Sequence, residues 1–256
     1  MKDDKLKNNL NSSGFPFQIA VESVISNTSG WKVSRHEYPW HNNDTGQNGF
    51  IDIIAEKNSV TLVIECKRVR DAEWIFLCSP GNINRSHARF WVNKVGGRDE
   101  AVGWYDGQVE PSCPEAEFCA VMGQDHRKPL LENLASELIS ATEAFAVEEL
   151  PFFKGIPMSM CYFPVIITTA ELYICKYDPS NIEIASGEIK NPKFEPVPFV
   201  RFRKSLTTRP TRFATERKIA VPEELAEAKE RTVFILNASN IKSILADWEI
   251  AQRSIY

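Results

Sequence analysis

The stretch GFIDIIAEKNSVTLVIECKR, residues 49–68, reads as two strands joined by a short turn. Residues 50–55 and 61–67 are rich in Ile and Val, as strands covered on both faces are. The five residues between them suit a hairpin. Three charged groups interrupt the apolar run: Asp52, Glu65 and Lys67. Strand side chains alternate between faces, so Glu65 and Lys67 point one way and Ile64 and Cys66 the other, while Asp52 goes with Phe50 and Ile54. If the two strands pair, Asp52 falls across from Glu65 where they diverge.

Two neighbouring carboxylates resist being ionised together. A divalent cation resolves the conflict, and Mg2+ takes carboxylate and water oxygens while keeping several of its waters. Such an ion polarises a phosphoryl oxygen and acidifies a bound water. Lys67, one pleat from Glu65, is placed to orient or deprotonate that water, or to neutralise charge on a phosphate. Two acids and a lysine in this relation make a phosphodiesterase site. The structural alternative is a Glu65–Lys67 surface pair on an edge strand, with Asp52 at a strand end. FIDII and VTLVIEC are too apolar for edges, and buried charge needs a partner or a metal. Gln18 and Glu22 lie four apart on a helix expected over residues 17–26, so they share a face and are candidate further ligands.

The 256 residues are 43% apolar and 25% charged with a formal net charge of −4, the balance of an ordinary globular protein that can bury a sizeable core. An acidic total argues against a generally basic nucleic-acid coat but allows a local basic groove. Six scattered cysteines do not form a disulfide framework. No apolar run approaches membrane-spanning length, and MKDDKLKNNLNSSG is too polar for a signal peptide, so the expected compartment is the cytoplasm, with no membrane association.

Outward from the opening stretch, residues 1–14 read as a flexible polar arm, and WKVSRHEYPW (31–40) as a strand with an irregular end at Pro39. Residues 99–117 are acidic and turn-rich and read as loops. An apolar stripe of Leu131, Leu134, Leu138, Ala141 and Phe145 predicts a helix over 130–150, with Glu137 away from it. CYFPVIITTAELYICKY (161–177) holds two strands, and the tail a strand to Asn237, a Ser239 cap and a terminal helix. With no repeat or linker, residues 15–256 read as a single α/β domain, its core over 15–176 and a strand-helix extension over 195–256.

The order helix, strand, Asp52-bearing strand, Glu65-Cys66-Lys67 resembles the PD-(D/E)xK nuclease superfamily, with IDI at 51–53 and ECK at 65–67. GFPFQ at 14–18 is similar to the start of the first helix in the Mrr-like branch, which favours Gln18 as the matching position and leaves Glu22 one turn on. The chain has Ile51 where the family pattern has a proline before the aspartate, a common departure. The likeness covers roughly residues 15–70, extended by the helix and strands of 130–176. It implies a restriction-endonuclease-like αβββαβ core with a mixed central sheet flanked by helices. Asp52 and Glu65 would be metal ligands, Lys67 the catalytic lysine, and Mg2+ the cofactor, with Mn2+ able to substitute. The implied activity is endonucleolytic cleavage of DNA, with double-stranded DNA as partner, in restriction or phage defence alongside a defence-system protein. Double-strand cutting needs two active sites and so implies a homodimer.

The run FVRFRKSLTTRPTRFATERK (199–218) has seven Lys or Arg against one Glu. Phosphate neutralisation by Arg201, Arg203, Lys204, Arg209 and Arg212 is its functional reading, and a solvated basic strand its structural one. Arg68 and Arg70 follow Lys67 directly and would meet the same phosphates. The competing function is a non-catalytic nucleic-acid-binding or assembly module that keeps the nuclease fold.

Overall fold

The computed structural model describes residues 2–70, 72–96, 100–122, 130–153, 156–207 and 222–251. The chain opens with helices α1 (Lys2–Ser12) and α2 (Phe15–Ser26), then strands β1 (Lys32–His41), β2 (Asn48–Lys57) and β3 (Val60–Lys67). Five strands follow: β4 (Glu73–Cys78), β5 (Arg85–Val95), β6 (Ala101–Cys113), β7 (Glu115–Ala116) and β8 (Phe118–Val121). Helix α3 (Leu130–Glu149) leads to β9 (Met158–Thr168), β10 (Glu171–Lys176), β11 (Lys193–Pro196) and β12 (Phe199–Ser205). A short helix (Pro222–Ala228), β13 (Glu230–Asn237), a terminal helix (Ile241–Ala246) and β14 (Glu249–Ile250) close it.

The protein is α/β, with a mixed main sheet in the order β1-β2-β3-β9-β13-β12-β7. β3 and β13 both run parallel to β9, whereas β1–β2 and β2–β3 are antiparallel. The first half of β9 also pairs with β5, which continues into β6. Beyond Lys67 and Thr168 the chain leaves this sheet at two adjacent points, and β4 and β10 pair again, parallel, in a second sheet ordered β11-β10-β4-β8. Glu65 and Lys67 therefore stand where β3 exits the main sheet, at the carboxyl end of parallel strands.

Both faces of the main sheet are covered. On one, Ile54, Val63 and Ile166 pack with Leu131, Leu138 and Phe145 of α3 and with Trp74 and Phe76 of the second sheet. On the other, Ile53, Leu62, Ile64 and Val165 meet Val21 and Ile25 of α2 and Ile241 and Leu245 of the terminal helix. Alternate residues of β3 thus enter different cores, which is why its sequence is apolar without a period of two. Among the described residues no helix is long and apolar enough to cross a membrane.

Three elements differ from expectation. The polar arm is helical over Lys2–Ser12, although it buries none of its residues; the segment lacks Gly and Pro, and Asp3 and Asp4 in its first turn suit the helix dipole. Of the acidic residues 99–117, read as loops, 101–113 and 115–116 are strands. The polar side chains of β6 take outward positions: Asp106, Gln108 and Glu110 are exposed, while Gly107 and Val109 between them are buried. Near the end, Asn237 rather than Ser239 caps, its side chain accepting the Ser239 N–H at the start of a 3-10 turn.

Candidate functional site

β2 and β3 form a tight hairpin through Asn58 and Ser59, with Lys57 opposite Val60 and Asn58 at φ +55, a conformation Asn tolerates. The register runs regularly to Ile53 opposite Ile64. One step further it sets Asp52 against Glu65, and there the ladder ends. The Asp52 carboxylate accepts the Cys66 backbone N–H at 2.7 Å, tying the two strand ends together through a side chain.

Both acids are half-buried. Burial pushes the Asp52 carboxyl up to about 6; the Cys66 N–H and Lys67 oppose that rise, and Glu37 adds to it. Burial likewise pushes Glu65 up to about 7, reinforced by Asp52, Glu137 and Glu37 and opposed by Lys67. The Cys66 thiol is driven far upward by burial and by the same carboxylates, so it is no nucleophile. Lys67 is half-buried and is the cation that acts on both acids.

α2 closes the site from the other side. Gln18 is only 8% exposed and donates its side-chain N–H to the Asp52 carbonyl oxygen at 2.9 Å. Its amide oxygen is then the atom it can offer a metal. Glu22, one turn on, lies 3.9 Å from the His36 imidazole. Two half-buried carboxylates with raised affinity for protons fit a hard divalent cation, which ordinarily takes one or two protein carboxylates and completes its shell with water and phosphate. Among the described residues, no three His, Cys, Asp or Glu side chains form a ready-made metal cage.

The cationic residues are placed differently from the acids. The Arg68 guanidinium donates to the Asn11 carbonyl at the end of α1, and Arg70 is exposed. Arg201 is fully buried in β12, its guanidinium donating to the carbonyls of Arg85, His87, Val109 and Pro111. This corrects its assignment to phosphate contact, because a group enclosed by backbone oxygens cannot reach a polynucleotide. Arg203 is paired with Glu230 at 2.9 Å and Asp106 at 3.3 Å, and Lys204 with Glu132 at 3.2 Å. β12 is separated from β3 by β9 and β13, hence by about 14 Å at the usual strand spacing. Arg209 and Arg212 lie outside the described residues.

Sequence reasoning missed two carboxylates and gave no role to one aromatic. Glu37 acts on both acids from β1, where it adopts a φ of +47 within an unbroken strand. Glu137 of α3 lines a narrow cleft with Glu65, Trp40, Phe50 and Leu134. Positive φ leaves no mark in a glutamate, and Glu137 reaches Glu65 only through the way α3 lies across the sheet. Phe50 stands two residues before Asp52 and is 64% exposed, although Ile51 next to it is core. No protein-family model matches this sequence, and no curated protein or solved structure does either.

Proposed function

We propose that this protein is a metal-dependent endonuclease of the PD-(D/E)xK type. The observation that carries the reading is the half-buried pair Asp52–Glu65 at the diverging end of the hairpin, with Lys67 acting on both. The succession α2, β1, β2, β3, α3, β9, with β3 and β9 parallel, supports a restriction-endonuclease-like αβββαβ core. Asp52 and Glu65 would hold Mg2+, or Mn2+ in its place, with Gln18 and Glu22 as the further candidate groups. The bound ion supplies Lewis acidity toward the phosphate and lowers the pKa of a coordinated water. Lys67 orients the attacking water and offsets charge on the phosphate as its oxygen bonds to phosphorus and one ester P–O bond breaks. Gln18 and the Cys66 N–H hold Asp52 still through this step. The substrate is DNA, and the setting is restriction or phage defence in the cytoplasm, with a second copy of the chain supplying the other cut of a duplex.

A second reading, an assembly module on the same fold without catalysis, draws on the internal pairing of Arg203 and Lys204 and the burial of Arg201. One experiment separates them. Supercoiled, linear and single-stranded DNA and RNA are incubated with Mg2+, Mn2+ or EDTA and with wild-type or Lys67→Ala protein. The nuclease reading expects metal-dependent cutting that falls by roughly 100-fold or more in Lys67→Ala. No cutting of any substrate, together with no metal uptake in a titration, would replace it with the assembly module.

A further inference from the structure

Phe50 puts a large apolar ring at an outward position of its strand. Ile51, Ile53, Ile54 and Ala55 are all at most 2% exposed, while the Phe50 ring is 64% exposed. The ring adds little to either core, and a polar residue at this place would cost the fold less. Its partner across the β1–β2 ladder is Pro39, also exposed, so the two make an apolar ledge at the edge of the sheet. The ledge adjoins the candidate site: Phe50 shares a strand face with Asp52, about 7 Å along the strand. It also borders the cleft that Glu65 lines with Leu134 and Glu137.

That cleft has a volume of about 20 Å³ on the scale where a single water needs roughly 10–15 Å³, so it has room for a water but not for a nucleobase. A base can therefore lie on the ledge but not enter the cleft. We infer that Phe50 is a positioning residue, a stacking platform for the base next to the phosphate held at Asp52 and Glu65, and that the strand cut there has that base unpaired. Inside a duplex both faces of a base are already covered by its neighbours. An aromatic ring gains a stacking face only in a single strand, a flap, a frayed end or a base extruded from the helix. Stacking of this kind tolerates any base, so the ledge would set the substrate's structure rather than its sequence. The inference rests on the nuclease reading for the position of the phosphate and is tested apart from it.

Two measurements on the full chain do this. In the first, kcat/KM is compared on a single-stranded oligonucleotide for wild-type, Phe50→Ala and Phe50→Trp protein. In the second, an oligonucleotide carrying 2-aminopurine is added to Asp52→Asn protein with and without Phe50→Ala, and quenching of the base is followed. Because Phe50 is exposed, all Phe50 variants should melt with the wild type. The expected result is a roughly ten-fold lower kcat/KM for Phe50→Ala, carried by KM, with recovery in Phe50→Trp and quenching that requires the ring. Cutting that is equal in wild type and Phe50→Ala, with ring-independent quenching, would overturn the platform and leave the nuclease reading standing. Ring-dependent quenching without any cutting would support the platform as a binding feature and defeat the nuclease reading. Absence of both effects would overturn both.

Discussion

At the end of the β2–β3 hairpin, Asp52 and Glu65 stand against one another half-buried, both carboxyls held above their ordinary range by burial. In β12 the charges are equally dense, yet each has a partner: four carbonyls around Arg201, Glu230 and Asp106 beside Arg203, Glu132 beside Lys204. The first arrangement is unfavourable for the fold alone, a conflict that the cation of the proposed function would relieve. The second is paired within the fold, with the Arg201 Nε left without a hydrogen bond. Charge in a strand thus signals function only where the surrounding structure leaves it in conflict, and the basic segment that looked most like a binding surface is partly a structural tie.

The sharpest way to break this contrast is Arg201→Ala. Its loss strips the donor from four backbone oxygens in an enclosed place, so a destabilisation of roughly 4 kcal/mol is expected. In a chain of this length that lowers Tm by about 10 °C in a melting curve. A stable variant with weakened nucleic-acid binding would reverse the assignment.

Glu65→Gln probes the other side. The Glu65 carboxyl moves from an ordinary 4.5 to about 7 on folding, so the folded protein binds its proton more tightly than the unfolded chain does. Its neutral form therefore favours folding below pH 4, and that contribution is lost as pH rises from about 4.5 through 7. Gln imitates the neutral form at every pH. Glu65→Gln should match wild type near pH 4 and exceed it by about 3 kcal/mol at pH 8, in denaturant titrations without metal. Millimolar Mg2+ at pH 8 should narrow the gap by stabilising wild type only. Equal stability across the range would show that the acids are not in conflict.

The smallest effect belongs to Lys204→Ala. A partly exposed pair with Glu132 contributes about 0.5 kcal/mol, and a lysine already neutralised should add nothing to the salt dependence of DNA binding. A measurable drop in that salt slope would return β12 to the binding surface.

Much of the hairpin was legible in the chain itself. The five residues read as the connection, 56–60, close to a turn of two, Asn58 and Ser59, and that turn with a side-chain period of two fixes the register that carries Asp52 toward Glu65. The α3 stripe was equally plain, because five apolar residues at helical spacing have one packing solution. β6 was misread because acidity hid its alternation: its charges occupy outward positions in a strand otherwise well buried. The arm was misread because a helix exposed on all sides shows no apolar period.

What the sequence by itself determined is local: the β2–β3 hairpin, the α3 stripe, which of their residues share a face, and which two acids and one lysine come together at the hairpin's open end. What only the tertiary structure decided is which charges remain in conflict. Glu137 reaches Glu65 because α3 lies across the sheet, and Arg201 meets Arg85, His87, Val109 and Pro111, some 90 to 116 positions away in the chain. The free energy of a charge depends on its solvent and its neighbours, and those are supplied by strands that only folding brings together.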